Sequence, residues 1–334
     1  MNTLNTASPI RIGVLGAAAI VPMALTDPAR AVSEAEIVAI AARDPKRAQA
    51  FARKHRIPRV HQTYRDLLAD PQIDAVYNPL PNSLHAAWTI RALKAGKHVL
   101  CEKPFASNAQ EAEEMAGVAR ETGLILSEAF AYRYHPLTQR LKEIIASGEL
   151  GKVLHLEAHF CFLLPSPKKN IRFQYELAGG ALMDCGCYPV SLIRFLAEAE
   201  PRVENARASL FASQVDHKMS ADLSFADGRT AHLGCDMLSP RLFRSSLRVQ
   251  GDSGTLHVIN PYHPHWFHWL SVRGRNGSHS EHVRGENVYT LQLRAFIQAI
   301  RGEVKLNTDP ADAVNNMRVV DAIYEKAGLK RRGI

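Results

Sequence analysis

The chain has 334 residues, of which 46% are hydrophobic and 22% are charged, a composition typical of a globular protein of about two domains. Its formal net charge of +8 is scattered, with only two short basic clusters, Lys168-Lys169 and Lys330-Arg331-Arg332. The absence of a basic stripe argues against a nucleic-acid binder and favours an anionic small ligand. No run approaches the ~18 apolar residues of a membrane span, and the first ten residues lack the pattern of a signal peptide. Five cysteines in no spaced framework predict a reducing, cytoplasmic location.

The N-terminal segment has the pattern of a nucleotide-binding turn. The run Pro9 to Leu15 is typical of a buried strand, and Gly16-Ala17-Ala18-Ala19-Ile20 leads from it toward a helix. Gly16 holds the first position of the dinucleotide fingerprint, while Ala18 and Val21 replace the second and third glycines. An alanine still lets the backbone approach a pyrophosphate, which a helix N-terminus attracts. Taken alone, the pattern also fits any tight strand–helix turn.

The next predicted strand, Glu36 to Ala42, bears on cofactor choice. An arginine at such a strand tip accommodates the 2′-phosphate of NADP, whereas an acidic residue binds the ribose hydroxyl of NAD. Arg43 therefore favours NADP, with NAD possible if Asp44 is the ribose ligand. Asp44 before Pro45 is also the pattern of a helix N-cap, and we favour that interpretation.

Strands and helices alternate through the rest of the first 130 residues. The run Ala75 to Tyr77 predicts a strand, the segment Asn78 to Asn82 a turn, and the residues up to Gly96 a helix. The apolar run from His98 then leads into Glu102-Lys103-Pro104. This alternation predicts a doubly wound parallel sheet, with Lys103 at its ligand-binding carboxyl edge. A solvated strand end is the alternative for Glu102 and Lys103.

The pattern changes in residues 131–334. Strands joined by turns such as Asp227-Gly228 are predicted at Val153 to Phe162, Val203 to Ala212, His217 to Phe225, Thr230 to Met237, Ser246 to Gln250 and Gly254 to Ile259. Helices are predicted at about Ala181 to Ala197, Val288 to Ile300 and Ala311 to Lys326. These features predict an α+β domain with a large, mostly antiparallel open sheet. One face of that sheet is expected to be covered by a second copy in a homodimer or homotetramer.

The stretch Gly179-Gly180-Ala181-Leu182-Met183-Asp184-Cys185-Gly186-Cys187-Tyr188 carries the second chemical signal. Asp184 and Tyr188 are four residues apart and share a face if this stretch is helical. A carboxylate and a phenol on one face can handle protons. A helix start with a core tyrosine is the alternative.

Taken together, these motifs resemble those of the family of glucose–fructose oxidoreductase and inositol dehydrogenase (Gfo/Idh/MocA). The resemblance runs from about residue 9 to the C-terminal helix and is strongest to the NADP-linked branch of dihydrodiol and D-xylose dehydrogenases. Many other members carry histidine where this chain has Tyr188. The resemblance implies an NADP-dependent oxidoreductase that transfers a hydride between nicotinamide and a sugar, polyol or dihydrodiol.

The resemblance also implies residue roles. Lys103 holds the reacting oxygen, Tyr188 is the acid–base partner or makes a second hydrogen bond to that oxygen, and Asp184 orients the neighbouring hydroxyl of the substrate or the lysine. The residues expected to shape the substrate pocket, with Asp184 and Tyr188, are Arg133, Tyr134 and His135. The residues expected at the cofactor are Gly16, Ala17, Ala18, Ile20, Arg43, Leu80, Pro81, Asn82, His85, Glu102 and Lys103. A cofactor-binding sensor or partner subunit without catalysis is the second hypothesis, although a sensor needs none of Lys103, Asp184 and Tyr188.

Three further patterns are not assigned to the chemistry. His155, His159 and Cys161 can share one face of a strand, but no second cluster at zinc spacing accompanies them, so no metal is expected. Cys185 and Cys187 are predicted to be small packing residues. The His/Trp-rich segment 262–269 is predicted to be a loop over the substrate entrance or a part of a subunit contact, without a choice between them.

Overall fold

The computed structural model describes residues 8–165, 170–275 and 277–333. The basic pair Lys168-Lys169 lies outside the described residues. The strands β1 to β14 span Ile10–Leu15, Ala35–Ala41, Arg59–His61, Ala75–Asn78, His98–Cys101, Leu126–Glu128, Val153–Leu163, Arg202–Ala212, Val215–Ser224, Thr230–Asp236, Leu238–Gly251, Thr255–Ile259, Trp269–Gly274 and Gly277–Glu281. The helices α1 to α9 span Asp27–Ala29, Pro45–His55, Tyr64–Ala69, His85–Lys94, Ala109–Thr122, Pro136–Ala146, Cys187–Ala197, Val288–Ile300 and Pro310–Lys326.

Several short helical turns lie between these elements. Two π-helical turns, Pro22–Thr26 and Leu182–Gly186, directly precede α1 and α7. The 3-10 turns span Asn82–Leu84, Ala131–Tyr134, Ile171–Phe173 and Tyr175–Leu177. π-helical turns occur frequently at functional sites.

The first sheet has six strands in the order β3-β2-β1-β4-β5-β6, and each neighbouring pair is parallel. Its central strands β1, β2, β4 and β5 are runs of mostly aliphatic residues that are buried along most of their length, as expected of a parallel sheet covered on both faces. The strand order reverses between β1 and β4, and ligands bind outside the carboxyl ends of the strands at such a point. The predicted doubly wound parallel sheet is confirmed.

The second sheet has eight strands in the order β14-β13-β12-β11-β7-β10-β9-β8. Its pairs are antiparallel except for β7 with β10. The predicted large, mostly antiparallel sheet is therefore confirmed as well. Along β7, Leu156, Ala158 and Phe160 are buried toward the inner face, whereas Glu157 lies on the other face.

Some strand predictions were incomplete. β3, β13 and β14 were not predicted, and β11 is longer than the segment from Ser246 to Gln250. β3 and β14 are short edge strands with exposed or half-exposed residues, so they lack the apolar alternation that identifies a strand in a sequence.

The chain forms two compact units. The first contains the described residues up to Ala106, together with Gln110–Ala131 and Tyr289–Val314. The second contains Ser107–Ala109, Tyr132–Val288 and the described residues from Asn315 onward. The predicted division into 1–130 and 131–334 stays a prediction, and α8 beyond Val288 packs with the first unit. In the part of the chain that the structure describes, no helix is long and apolar enough to cross a membrane.

Candidate active site

The turn after β1 places the fingerprint residues at the carboxyl edge of the parallel sheet. Gly16 has a φ of +98°, and a Cβ there would lie 3.0 Å from Leu80 Cδ2, so a side chain would be both strained and crowded. The amide of Gly16 donates to the Ala41 carbonyl at 2.7 Å, which ties the turn to the end of β2. Ala18 and Ile20 are half-buried, and Ala17 is buried.

The tip of β2 carries exposed positive charge. Arg43 and Arg47 are both exposed, and the Arg47 guanidinium donates to the Ala17 carbonyl at 2.8 Å. The Asp44 carboxylate accepts from the Lys46 amide at 2.9 Å, so Asp44 is the N-cap of α2, as predicted. The Tyr64 hydroxyl hydrogen-bonds with the backbone of Arg43. These cations suit a phosphate group, and the Gly16 turn suits a close backbone approach to a pyrophosphate.

Lys103 follows β5 by two residues and is half-buried. The Glu102 amide donates to the Asn78 carbonyl at 3.0 Å and so continues the pairing of β4 with β5. The buried Tyr77 hydroxyl donates to Glu102 Oε1 at 2.6 Å. Burial, with the nearby Glu102 carboxylate, raises the pKa of Tyr77, so the phenol remains a donor. Glu102 is therefore held by the sheet and is not a loosely solvated strand end, and the half-buried Lys103 follows it directly.

His85 connects two segments of this site. Its Nδ1 lies 2.8 Å from the Pro104 carbonyl oxygen, and its Nε2 lies 2.7 Å from the Leu80 carbonyl oxygen. The ring is buried, which lowers the pKa of His85 to about 4. Because a neutral imidazole has one N–H, it donates to one of the two carbonyls at a time. Pro81 and Asn82, which follow Leu80 in the sequence, are half-buried and lie at the start of the turn into α4.

In the second unit, Asp184 and Tyr188 share an accessible face. From Ala181 to Val190 they alone are not buried. The segment begins with the π-helical turn and continues into α7, so the predicted helix is present with a different first turn. Cys185 and Cys187 are buried, as expected of packing residues.

An aromatic group surrounds Tyr188. The centroid of its ring lies 5.2 Å from that of Phe160, 5.4 Å from that of Tyr262 and 6.0 Å from that of Tyr132. The His263 ring is 6.4 Å away. The start of the 262–269 segment thus lies beside Tyr188, whereas Trp266 and Phe267 are exposed and Trp269 begins β13.

The predicted substrate residues Arg133 and His135 are buried, and Tyr134 is half-buried. The Arg133 guanidinium donates to Ser191 Oγ at 3.2 Å and lies 3.9 Å above the Phe195 ring. His135 is the N-cap of α6, and its Nδ1 accepts from the Leu137 amide at 3.1 Å. Their role toward a substrate stays a prediction.

Two ion pairs near the accessible face that carries Asp184 were not predicted from the sequence. The Arg172 side chain pairs with the Asp184 carboxylate at 2.8 Å. Deeper in the unit, Arg332 and Asp216 form an ion pair at 2.9 Å with no exposure of either side chain. Arg172 belongs to no local motif, Arg332 was noted only as part of the basic cluster Lys330-Arg331-Arg332, and Asp216 is far from Arg332 in sequence, so the spacing of these residues gave no signal of either pair.

The His155, His159 and Cys161 pattern lies on the open face of β7. His159 Nε2 is 2.6 Å from Glu157 Oε1, and His155 Nδ1 is 2.7 Å from Thr230 Oγ1. Among residues 8–165, 170–275 and 277–333, no group of three or more histidine, cysteine or acidic side chains could hold a metal ion.

Comparison with protein families gives two matches that follow each other along the chain. Residues 10–130 match the model described as an oxidoreductase family with an NAD-binding Rossmann fold, named Gfo/Idh/MocA. Residues 138–257 match the Gfo/Idh/MocA C-terminal domain. These matches agree with the motifs that suggested the resemblance.

Individual proteins are similar over most of the chain. D-xylose 1-dehydrogenase (NADP(+)) 2 of Haloferax volcanii is 38% identical over 94% of this chain and 96% of its own. Trans-1,2-dihydrobenzene-1,2-diol dehydrogenase of Sus scrofa is 33% identical over 69% of this chain and 68% of its own. Among solved structures, a 3-ketoreductase of Actinomadura kijaniata in complex with NADP and TDP-benzene superposes with a TM-score of 0.88 at 30% identity, over 96% of this chain and 98% of that one.

Proposed function

Because the chain belongs to the Gfo/Idh/MocA oxidoreductase family, we propose that it is an NADP-dependent oxidoreductase acting on a CH–OH or C=O group of a sugar, polyol or dihydrodiol. The observation that carries this proposal is the position of Lys103. It lies at the same carboxyl edge of the parallel sheet as the Gly16 turn and the Arg43 tip. The related enzymes act on xylose and on a dihydrodiol, and the ketoreductase was crystallised with NADP.

The first unit fits the cofactor. Gly16 has no side chain between the turn and an approaching pyrophosphate, and the exposed guanidinium groups of Arg43 and Arg47 provide charge for the 2′-phosphate. Leu80, held by His85, packs against the turn. When bound, NADP supplies the hydride acceptor or donor.

The side chains of this chain then handle the oxygen and its proton. Lys103 donates to the reacting oxygen and stabilises its alkoxide character as the carbon–hydrogen bond breaks. Tyr188 takes up the hydroxyl proton in oxidation and returns it in reduction. Asp184 accepts from a neighbouring substrate hydroxyl and so orients the substrate.

Steady-state kinetics with a panel of free sugars, polyols, dihydrodiols and a dTDP-linked sugar test the proposal. We expect turnover with NADP(H), and a loss of about 10²- to 10⁴-fold in kcat for Lys103→Ala and for Tyr188→Phe. Lys94→Ala, at an exposed lysine in the last turn of α4, and Tyr175→Phe, at an exposed hydroxyl, are the matched controls. NADP binding without turnover of any member of the panel would contradict the proposal and favour a sensor or partner subunit.

Cofactor choice is tested by titration of intrinsic fluorescence with NADP(H) and NAD(H). We expect NADP to bind at least about tenfold more tightly, or about 1.4 kcal/mol, and Arg43→Ala to remove the preference. Equal or tighter binding of NAD by the wild type would contradict the assignment.

The open face of the eight-stranded sheet is the surface that we propose to pair with a second copy. Ile259 and Trp269 are cross-strand partners on this face and are 41% and 56% exposed, and Leu163 is 48% exposed. Sedimentation equilibrium should show that the wild type is at least a dimer and that the double variant Ile259→Lys/Trp269→Lys is a monomer. A monomeric wild type would contradict this assembly.

Five free cysteines fit a reducing cytoplasm.

A further inference from the structure

A cation lies beside the accessible face that carries Asp184 and Tyr188. Arg172, in the turn Ile171–Phe173, has its Nε 2.8 Å from Asp184 Oδ2. The Arg172 side chain is 41% exposed and that of Asp184 is 15% exposed, so the pair lies at the border of the accessible face. The carboxylate raises the pKa of Arg172, which therefore stays a cation.

The main chain of Arg172 is attached to the same motif. Its carbonyl accepts from the Gly180 amide at 2.8 Å, and a Cβ on Gly179 would lie 2.5 Å from that oxygen. The turn itself is fixed by Asn170, whose side chain accepts from the Arg172 amide at 3.1 Å. Arg172 thus contacts the helix-start segment at two points, through its backbone at the glycines and through its side chain at Asp184.

These two contacts have different physical effects. The backbone contact fixes where the π-helical turn begins, because no side chain fits at Gly179. The ion pair holds the Asp184 carboxylate in one direction and compensates its negative charge next to Tyr188. An uncompensated carboxylate at that place would oppose the formation of a phenolate at Tyr188.

We propose that Arg172 is a positioning residue for the reaction, which fixes the Asp184 carboxylate and, through it, the arrangement of the Asp184–Tyr188 face. This inference rests on the proposed function. It adds to the residues with a role in the reaction one that lies outside the Gly179–Tyr188 motif. All the contacts on which it depends lie within the second unit.

Kinetics of Arg172→Gln and Arg172→Lys in the full chain test the role. With a substrate found in the panel, we expect Arg172→Gln to lower kcat at least tenfold while NADP affinity is unchanged, because the cofactor residues are in the first unit. Arg172→Lys keeps the charge and should recover part of the loss.

The pH profile separates positioning from a loss of structure. Removal of the cation raises the pKa of Tyr188, so the rise of the oxidation rate with pH should move to higher pH in Arg172→Gln and less in Arg172→Lys. The described titratable groups beside Tyr188, which include Asp184, Tyr132, Tyr262 and His263, are the same in each variant. Their effect cancels in the comparison with the wild type.

Arg140→Gln is the matched control. Arg140 pairs with Glu281 at 2.7 Å, and its side chain is 37% exposed, so its ion pair is similar in length and exposure to that of Arg172 but remote from the Gly179–Tyr188 motif.

Wild-type kinetics in Arg172→Gln, or equal losses in Arg172→Gln and Arg140→Gln, would overturn the inference. If Arg172→Gln does not fold, the same measurements are made on Arg172→Met, which also removes the charge, and a wild-type pH profile in that variant would overturn the charge contribution. Absence of turnover in the wild type would overturn the proposed function itself, which distinguishes the two failures.

Discussion

The guanidinium of Arg332 is wholly buried near the C-terminus. It donates to Asp216 Oδ1 at 2.9 Å and to the Gly179 carbonyl at 2.8 Å, and it lies 3.9 Å above the Tyr324 ring. The second oxygen of Asp216 accepts from the Leu182 amide at 2.8 Å. One buried ion pair therefore supports the start of the segment that carries Asp184 and Tyr188.

Replacement of Arg332 by methionine should lower the free energy of unfolding by about 3 to 5 kcal/mol, because a carboxylate would remain buried without its cation. Urea denaturation measures this loss. Arg331→Met is the control, since Arg331 is exposed and its ion pair with Glu325 lies at the surface, where a loss below about 1 kcal/mol is expected. Similar losses in the two variants would contradict the assignment of a stabilising role to the buried pair.

Single residues were predictable from the sequence where a local rule applied to them. Asp44 before Pro45 follows the rule for an N-cap, and the structure confirms it. Lys103 follows an apolar run and was therefore placed at the end of a strand. Arg172 follows no such rule, because its importance comes from a contact with Asp184, twelve residues further along the chain.

The first turn of α2 offers a test at the scale of an element. Asp44→Ala should lower the free energy of unfolding by about 1 kcal/mol, because the Lys46 amide loses its acceptor. Since we assign Asp44 to the cap, the affinities for NADP and NAD should change little. Denaturation and fluorescence titration measure the two effects. A selective loss of NAD binding would instead identify Asp44 as a ribose ligand.

Long elements with an apolar pattern were predicted well, whereas the short strands β3, β13 and β14 were not predicted. The central strands of both sheets bury their side chains, so burial itself produces the pattern in the sequence. β3 and β14 are held in their sheets mainly by backbone pairing, which any residue can provide. The π-helical turn before α7 was also not predictable, since its hydrogen bonding depends on contacts made by Gly180 and Leu182 with distant residues.

At the scale of the whole molecule, buried histidines make stability depend on pH. Burial lowers the pKa of His85, His98 and His135 to about 4 in each case. An unfolded chain binds these protons near pH 6.5, so between pH 6.5 and 4 the unfolded state takes up protons that the folded state does not. The free energy of unfolding should therefore be highest above pH 6.5 and fall with acidification, by up to roughly 3 kcal/mol for each histidine.

Urea denaturation at several pH values between 7 and 4 measures this dependence. His98→Asn should reduce the slope, because the asparagine carbonyl can accept from the Ile125 amide in place of His98 Nδ1 but does not titrate. His55 is half-buried in the last turn of α2, and His55→Asn is the control variant, which should change the slope less than His98→Asn does. If the free energy of unfolding of His98→Asn depends on pH as that of the wild type does, His98 does not contribute to this dependence.

The segment Tyr289–Val314 has a consequence for protein engineering. Although it follows the eight-stranded sheet in sequence, it belongs to the first compact unit. There, Thr308 meets β6, where its carbonyl accepts from the Glu128 amide at 3.0 Å and its hydroxyl lies 2.9 Å from Ser127 Oγ. A chimaera with a relative that exchanged only the first 130 residues would combine the parallel sheet of one parent with the segment 289–314, which contains most of α8, from the other. An exchange of cofactor specificity by transplantation therefore needs three crossover sites, one near residue 131 and two that bracket the segment 289–314.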